Sequence, residues 1–230
     1  MNTVAIIPAR GGSKRIPGKN IKIFAGYPMI SYSITAARES GVFNRIIVST
    51  DDDEIANVAR SCGAEVPFRR PAHLADDRAS TEDVLVNALE TLRENGETFE
   101  HACCIYATAP FIDAKDLPTG FDALRRANAT TAFAVTTFEY PIFRAFRIRP
   151  DGRLEMLWPE HRDARSQELP EACHDAGQFY WLDVKKFLVE RQLFSADSVP
   201  VHIPRWRVQD IDTPEDWRRA EMMFKAAGRS

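Results

Sequence analysis

Val4-Ala5-Ile6-Ile7-Pro8 runs directly into Ala9-Arg10-Gly11-Gly12-Ser13-Lys14-Arg15-Ile16-Pro17-Gly18-Lys19-Asn20. The first five residues are apolar and rich in β-branching, which is the composition of a buried strand. The loop that follows interleaves Arg10, Lys14, Arg15 and Lys19 with glycines and a proline. Glycine permits backbone conformations that turn successive N–H groups towards one anion. Cations fixed beside such a nest can hold a polyphosphate. The spacing matches neither the G-x-x-x-x-G-K-[ST] loop nor the dinucleotide fingerprint G-x-G-x-x-G. An ordinary solvated turn needs no such alternation of cation and glycine. A strand that feeds a phosphate-binding loop predicts an α/β fold with the site at the strand's carboxyl end.

At 230 residues, 44% hydrophobic and 27% charged, the chain suits one α/β domain spanning residues 1–230. Its net charge of −3 gives no broad basic field, which argues against nucleic acid as a partner. Cys62, Cys103, Cys104 and Cys173 lack metal-ligand spacing, so a reduced, cytoplasmic protein is expected. No signal-like start or long apolar span is present, and no membrane partner is expected.

Outward from the loop, strand and helix alternate. Met29–Ser40 is predicted as a helix, Arg45–Thr50 as a strand, and Asp51 as the start of a helix with Glu54 in a capping box. Glu65–Phe68 reads as a short strand. A helix carries Val84, Leu85, Ala88, Leu89 and Leu92; a central strand covers Ala102–Tyr106. A helix with Leu117, Phe121 and Leu124 leads to a strand at Thr131–Thr137. Such repeats imply a mostly parallel sheet covered by helices on both faces. Loops carrying Arg10, Arg70 and Thr108 emerge at one end of it.

The rhythm changes after residue 137. Arg144–Arg149 and Arg153–Trp158 read as a hairpin turning at Pro150-Asp151-Gly152. A long polar loop then runs over residues 159–177, and strand resumes over Gln178–Asp183. Val199–Ile203 is the last strand. Thr213-Pro214-Glu215-Asp216 is a strong helix start. Just before it, Asp210 and Asp212 are spaced so that extended backbone points both carboxylates to one side. They suit a shared hard cation, or equally the dipole of the coming helix; spacing alone leaves both open.

These motifs, taken in order, resemble the CMP-sialic acid synthetase family of cytidylyltransferases, which activate nine-carbon sugar acids. The loop at residues 7–20 resembles the family's signature. Arg70-Pro71-Ala72-His73-Leu74-Ala75-Asp76-Asp77 with Ser80 resembles its second motif, and Arg165-Ser166-Gln167-Glu168-Leu169-Pro170 the motif at its reaction centre. Ile211-Asp212-Thr213-Pro214-Glu215-Asp216 is similar to its metal-binding aspartate motif. Tyr106-Ala107-Thr108-Ala109-Pro110 stands where sialic acid enzymes carry Gln-Pro-Thr-Ser-Pro, and only Thr108 and Pro110 match. That departure, with Glu139-Tyr140-Pro141-Ile142-Phe143-Arg144 and His174-Asp175-Ala176-Gly177-Gln178-Phe179-Tyr180-Trp181, resembles the branch acting on pseudaminic acid. This sugar differs from sialic acid by a second acylamino group and a terminal methyl.

The resemblance implies a three-layer αβα, Rossmann-like nucleotide-diphospho-sugar transferase fold with a hairpin insert at about residues 138–177. It implies transfer of CMP from CTP to the sugar's anomeric hydroxyl, Mg²⁺ on Asp210 and Asp212, and a homodimer formed through the insert. Nucleotide contacts are expected from Arg10, Gly11, Gly12, Ser13, Lys14, Lys19, Asn20, Arg70, Ser80 and Thr108. Catalytic roles fall to Arg165, Asp212 and Lys19, and sugar contacts to Arg144, Gln167, Gln178 and Tyr180. Within Phe179-Tyr180-Trp181, at least one residue is expected to be plain core. His161 and His174 are expected at the surface or behind the site. Alternatives are a sialic or legionaminic acid enzyme, or a non-catalytic nucleotide-binding module. A sugar-1-phosphate nucleotidyltransferase is a poor fit, since Gly11-Gly12-Ser13-Lys14-Arg15 lacks the Gly-Gly-x-Gly-Thr-Arg-Leu pattern.

Overall fold

The computed structural model describes residues 2–76 and 78–228, so Asp77 of the second motif lies outside the described residues. In chain order the elements are β1 (Thr3–Pro8), a ribbon of β2 (Ile23–Phe24) and β3 (Tyr27–Pro28), then α1 (Met29–Ser40), β4 (Arg45–Ser49) and α2 (Asp53–Ser61). There follow α3 (Thr81–Glu94), β5 (His101–Ile105), α4 (Asp116–Ala127) and β6 (Thr131–Thr137). A hairpin of β7 (Phe146–Ile148) and β8 (Leu154–Met156) precedes β9 (Cys173–Asp183), α5 (Val184–Glu190), β10 (Ser198–His202) and α6 (Pro214–Ala226).

The main sheet has the order β10-β6-β9-β5-β1-β4. Every pairing in it is parallel except the two made by β9, which runs antiparallel between β5 and β6. Alternation along the strands builds a layer on each face. Ala5 and Ile7 of β1, with Phe179 and Trp181 of β9, pack beneath α1, α2 and α4. Val4 and Ile6, with Tyr180 and Leu182, face α3 and α5. A third cluster sets Phe24, Phe111, Trp217 and Phe224 together, docking α6 beside the phosphate loop. The three-layer, mostly parallel α/β fold is thus as expected. Among the described residues no helix is long and apolar enough to cross a membrane.

Three local expectations change. The helix α2 is capped by Asp52, whose Oδ1 accepts from the Ile55 N–H at 2.9 Å. Asp51 is instead turned to the phosphate loop, and the expected Glu54 capping box does not form. Glu65–Phe68 is not a strand but makes isolated bridges, Ile47 with Glu65 and Thr50 with Arg69. Pro67 lies between them and has no N–H to give a ladder. The strand β9 begins at Cys173 rather than Gln178, because a bulge with Gly177 at φ 61° lets pairing with β6 continue past an irregular register. The helix start at Thr213 is as read: Thr213 and Asp216 form a reciprocal capping box.

Gly120 in α4 sits against the rings of β9. A Cβ added there would stand 2.8 Å from Phe179 Cε2 and 2.9 Å from Trp181 Cδ1. Alanine would gain up to about 1 kcal/mol of helix propensity, but overpacking against two fully buried rings costs about 1–3 kcal/mol. Gly120→Ala is therefore expected to lower the melting temperature by about 2–6 °C. An equal or higher melting temperature would show that the rings give way freely.

Candidate functional site

A cleft of about 410 Å³ opens at the carboxyl ends of β1 and β5. Arg10, Ser13, Lys14, Lys19, Asn20, Arg70, Ser80, Thr108, Asp210 and Asp212 all line it, although they come from five separate stretches of sequence. Arg15, Thr81 and Tyr106 line it as well.

The loop after β1 is held by its own polar groups rather than left open as a nest of amides. Asp51 Oδ1 accepts from the Gly11 N–H at 3.0 Å, and Gly11 O accepts from the Ser13 N–H at 2.9 Å. Gly11 and Gly12 lie outside the cleft lining, and the Gly11 amide is already given to Asp51. A Cβ at position 11 would crowd the Asp52 side chain, standing 2.7 Å from its Oδ2 and 3.0 Å from its Cβ. The glycine with left-handed backbone in this loop is Gly18, at φ 63°. Asn20 is buried and donates to the Arg10 carbonyl at 2.9 Å, so it positions Arg10.

Arg70 is 4% exposed and donates to the Ser49 side chain and carbonyl. Among the described residues it forms no ion pair. Burial chiefly, with the like charge of Arg10 adding and Asp51 opposing, brings its guanidinium down to about 10, so it stays cationic at neutral pH. A buried cation without a bonded carboxylate, on the wall of an open cleft, is a site for an anion. Ser80 caps α3, donating to Asp83 Oδ2 at 2.8 Å and accepting from the Asp83 N–H at 3.1 Å. Tyr106 takes the position where the departure from the sialic acid pattern falls. Its hydroxyl meets Thr81 Oγ1 at 3.2 Å, and burial pushes its pKa up to about 12.

Opposite these cations, Asp212 pairs with Arg15 at 2.8 Å and Lys19 at 3.3 Å, and Lys19 also donates to the Ile211 carbonyl at 2.7 Å. Desolvation by the surrounding protein raises the Asp210 carboxyl above its ordinary range, the charge of Asp212 adds to this and Lys19 opposes it. Two carboxylates that sense each other's charge across one cleft are a donor set for a hard divalent cation. Among the described residues no group of three or more His, Cys, Asp or Glu could hold a metal. A pair is nonetheless sufficient for Mg²⁺, which keeps several waters and takes substrate phosphates as further ligands.

Besides Gly11 and Gly12, five expected residues lie outside the cleft lining. Arg144, Arg165 and Gln167 are exposed on the excursion between β6 and β9, where Arg144 donates to the Ala164 carbonyl. Tyr180 is a core side chain: its ring is fully buried beside Tyr106 and Phe133, and its hydroxyl donates to Asp175. Phe179 and Trp181 are equally buried, so all three aromatics serve the core. Gln178 is 3% exposed and donates to the Arg207 carbonyl at 2.5 Å. Neither it nor Tyr180, both expected at the sugar, lines the cleft. His161 packs on Phe143 and His174 on Phe138, both outside the cleft. Asp51 and Tyr106 were the functional positions hardest to read. The run Asp51-Asp52-Asp53 resembles a helix start, and Tyr106 resembles a strand residue.

A mostly parallel sheet whose strand ends carry a cleft lined by Arg10, Lys14, Lys19, Arg70 and an acid pair is the arrangement of a nucleotidyltransferase. The model of the cytidylyltransferase family matches residues 4–155, and the chain belongs to that family. It is 44% identical over 225 residues to the pseudaminic acid cytidylyltransferase of Campylobacter jejuni serotype O:2, covering 98% of this chain and 97% of that protein. It is 28% identical to the CMP-N,N'-diacetyllegionaminic acid synthase of Legionella pneumophila, at 98% and 97% coverage. Among solved structures, a CMP:2-keto-3-deoxy-manno-octonic acid synthetase complexed with CTP superposes with a TM-score of 0.71. That likeness covers 99% of this chain and 100% of the other at 17% identity.

Proposed function

We propose that the chain transfers CMP from CTP to the anomeric hydroxyl of pseudaminic acid, releasing pyrophosphate. The observation that carries this reading is the cleft itself, in which Arg10, Lys14, Lys19 and Arg70 face the pair Asp210 and Asp212, in a chain with end-to-end likeness to a pseudaminic acid enzyme. The anomeric hydroxyl loses its proton to solvent as its oxygen bonds to the α-phosphorus, the bond from that phosphorus to the bridging oxygen breaks, and pyrophosphate departs. Catalysis is then mainly positioning and charge stabilisation. Arg10, Lys14 and Lys19 hold the triphosphate, with Ser13 beside them. Arg70 supplies a fixed positive charge at the wall, and Thr108 and Ser80 close the nucleotide side. Asp210 and Asp212 would hold Mg²⁺, which when bound neutralises phosphate charge and acidifies an oxygen ligand. Lys19, tied to both Ile211 and Asp212, keeps the cationic and acidic sides of the cleft in register. Measuring pyrophosphate release with CTP against a panel of nonulosonic acids tests the reading. Activity confined to sialic or legionaminic acid would remove the assignment of the sugar.

Arg144 and Gln167, expected at the sugar, and Arg165, expected in catalysis, lie outside the cleft on an insert that also exposes Phe146, Ile148, Leu154 and Leu157. A two-stranded hairpin is marginal in water without a covering surface. The reading adopted is that a second copy covers it, giving a homodimer in which the insert lies near the sugar. Light scattering at micromolar protein should give twice the mass of 26.0 kDa. A monomer of full activity would refute the dimer.

A further inference from the structure

The turn that carries Asp210 and Asp212 has no regular secondary structure over residues 208–212, yet it is fastened on both sides. Beyond it, Lys19 holds the Ile211 carbonyl, and Asp216 accepts from the N–H groups of Asp212 and Thr213 at 3.2 and 2.8 Å. Before it, Arg207 is 8% exposed and forks onto Asp116, the first residue of α4, at 2.8 and 3.1 Å. Asp113 adds a longer contact at 3.6 Å. The Arg207 main chain is held separately, because its carbonyl accepts from Gln178 Nε2 on β9. The residue three places before Asp210 is thus tied by its side chain to one layer and by its backbone to the sheet. Like charges on Asp210 and Asp212 favour their separation, so a turn without a ladder of its own needs such ties to hold them together.

We propose that Arg207, Asp116 and Gln178 form a clamp that positions the Asp210–Asp212 pair for a divalent cation. None of the three lines the cleft; they are positioning residues that act through the backbone of the turn. The proposal rests on the assignment of the cation to Asp210 and Asp212 made above. Planar two-point pairing makes arginine specific here, since lysine provides charge without the fork. Gln178 offers the cleanest separation of positioning from stability. Its Oε1 is buried without a partner among the described residues, so replacing the amide by a methionine of similar volume removes that unpaired acceptor together with the donor to Arg207.

The variants Asp116→Asn, Arg207→Lys and Gln178→Met are to be compared with Asp212→Ala. Manganese is titrated into the CTP-bound protein without sugar acid and followed by electron paramagnetic resonance. Removing an outer partner of a metal ligand weakens binding by about 10–100-fold, and that loss is expected in all three clamp variants. In rate assays the half-saturating magnesium concentration should rise in parallel. The KM for CTP at saturating metal should stay within about twofold. Hydrogen exchange over residues 208–213 in the metal-free protein should accelerate, while Gln178→Met melts within about 3 °C of the parent. Wild-type manganese affinity and exchange in Asp116→Asn and Gln178→Met would overturn the clamp, whether or not Arg207→Lys folds. If Asp212→Ala itself binds manganese normally, the cation assignment fails and the clamp with it. If Asp212→Ala loses manganese and the clamp variants keep it, only the clamp is wrong.

Discussion

Asp212→Ala is expected to fall in turnover by roughly a thousandfold or more while remaining folded. The stability side of this is small. The carboxylate makes two ion pairs, with an exposed Arg15 and with Lys19, and pairs at such sites contribute about 0–1 kcal/mol each. Its place before α6 adds about 0.3–1 kcal/mol at most. The backbone tie from its N–H to Asp216 survives the substitution. A melting temperature lowered by no more than about 12 °C follows, at about 2–4 °C for each kcal/mol. The chemical side is large, because a metal ion at the transferring phosphate is worth several kcal/mol, at about 1.4 kcal/mol for each factor of ten. Removing one of the two carboxylates proposed to hold it also leaves Lys19 and Arg15 without their counter-charge in the cleft. Near-parental turnover with a normal melting curve would move the reaction centre away from this turn.

The second large effect concerns the sugar. Pseudaminic acid is expected to be preferred to N-acetylneuraminic acid by roughly a hundredfold or more in kcat/KM, from two contributions. Excluding a hydroxylated tail from an apolar wall is worth about 1–3 kcal/mol. A hydrogen bond to the second acylamino group, left unpaired with the wrong sugar, adds about 1–3 kcal/mol. Gln178 and Tyr180 do not line the cleft and are already bonded within the protein. On the proposed reading those donors therefore come from the insert, where Arg144 and Gln167 are exposed. Steady-state assays with both sugars decide the matter. Comparable rates would preserve the cytidylyl transfer and remove the assignment of this sugar.

Legibility in the sequence followed the range of the interactions involved. The helix α1, Met29–Ser40, and the strand β6, Thr131–Thr137, fall where periodicity placed them, because local alternation and caps set both. The gathering of Arg10, Lys14 and Thr108 into one cleft was legible for the same reason, as they sit on short loops directly after predicted strands. Aromatic strand residues were not. In Phe179-Tyr180-Trp181 a buried ring and a ligand-facing ring have the same sequence signal, and only the pairing of β9 on both edges buries all three. Gln178 misled in the same way, since its partner is a carbonyl 29 residues further on. Gly11 and Gly12 were read as turning successive N–H groups towards one anion. The crowding a Cβ at position 11 would cause against Asp52 is invisible without the fold.

The placement of β9 has a consequence for how the chain acquires its shape. Residues 173–183 fill the slot between β5 and β6, strands that are synthesised well before them. As the chain leaves the ribosome, β1, β4 and β5 can pair in order, but β5 then presents an open edge. β6 can meet that edge directly, in a wrong, strand-short sheet, before β9 exists to occupy it. Open edges of apolar strands are where chains recruit one another, and long-range insertion is slow. Completion of the sheet is therefore a late event in biogenesis. The same insertion brings Gln178 beneath Arg207, so the acidic turn can be locked in place only after the centre of the sheet has closed.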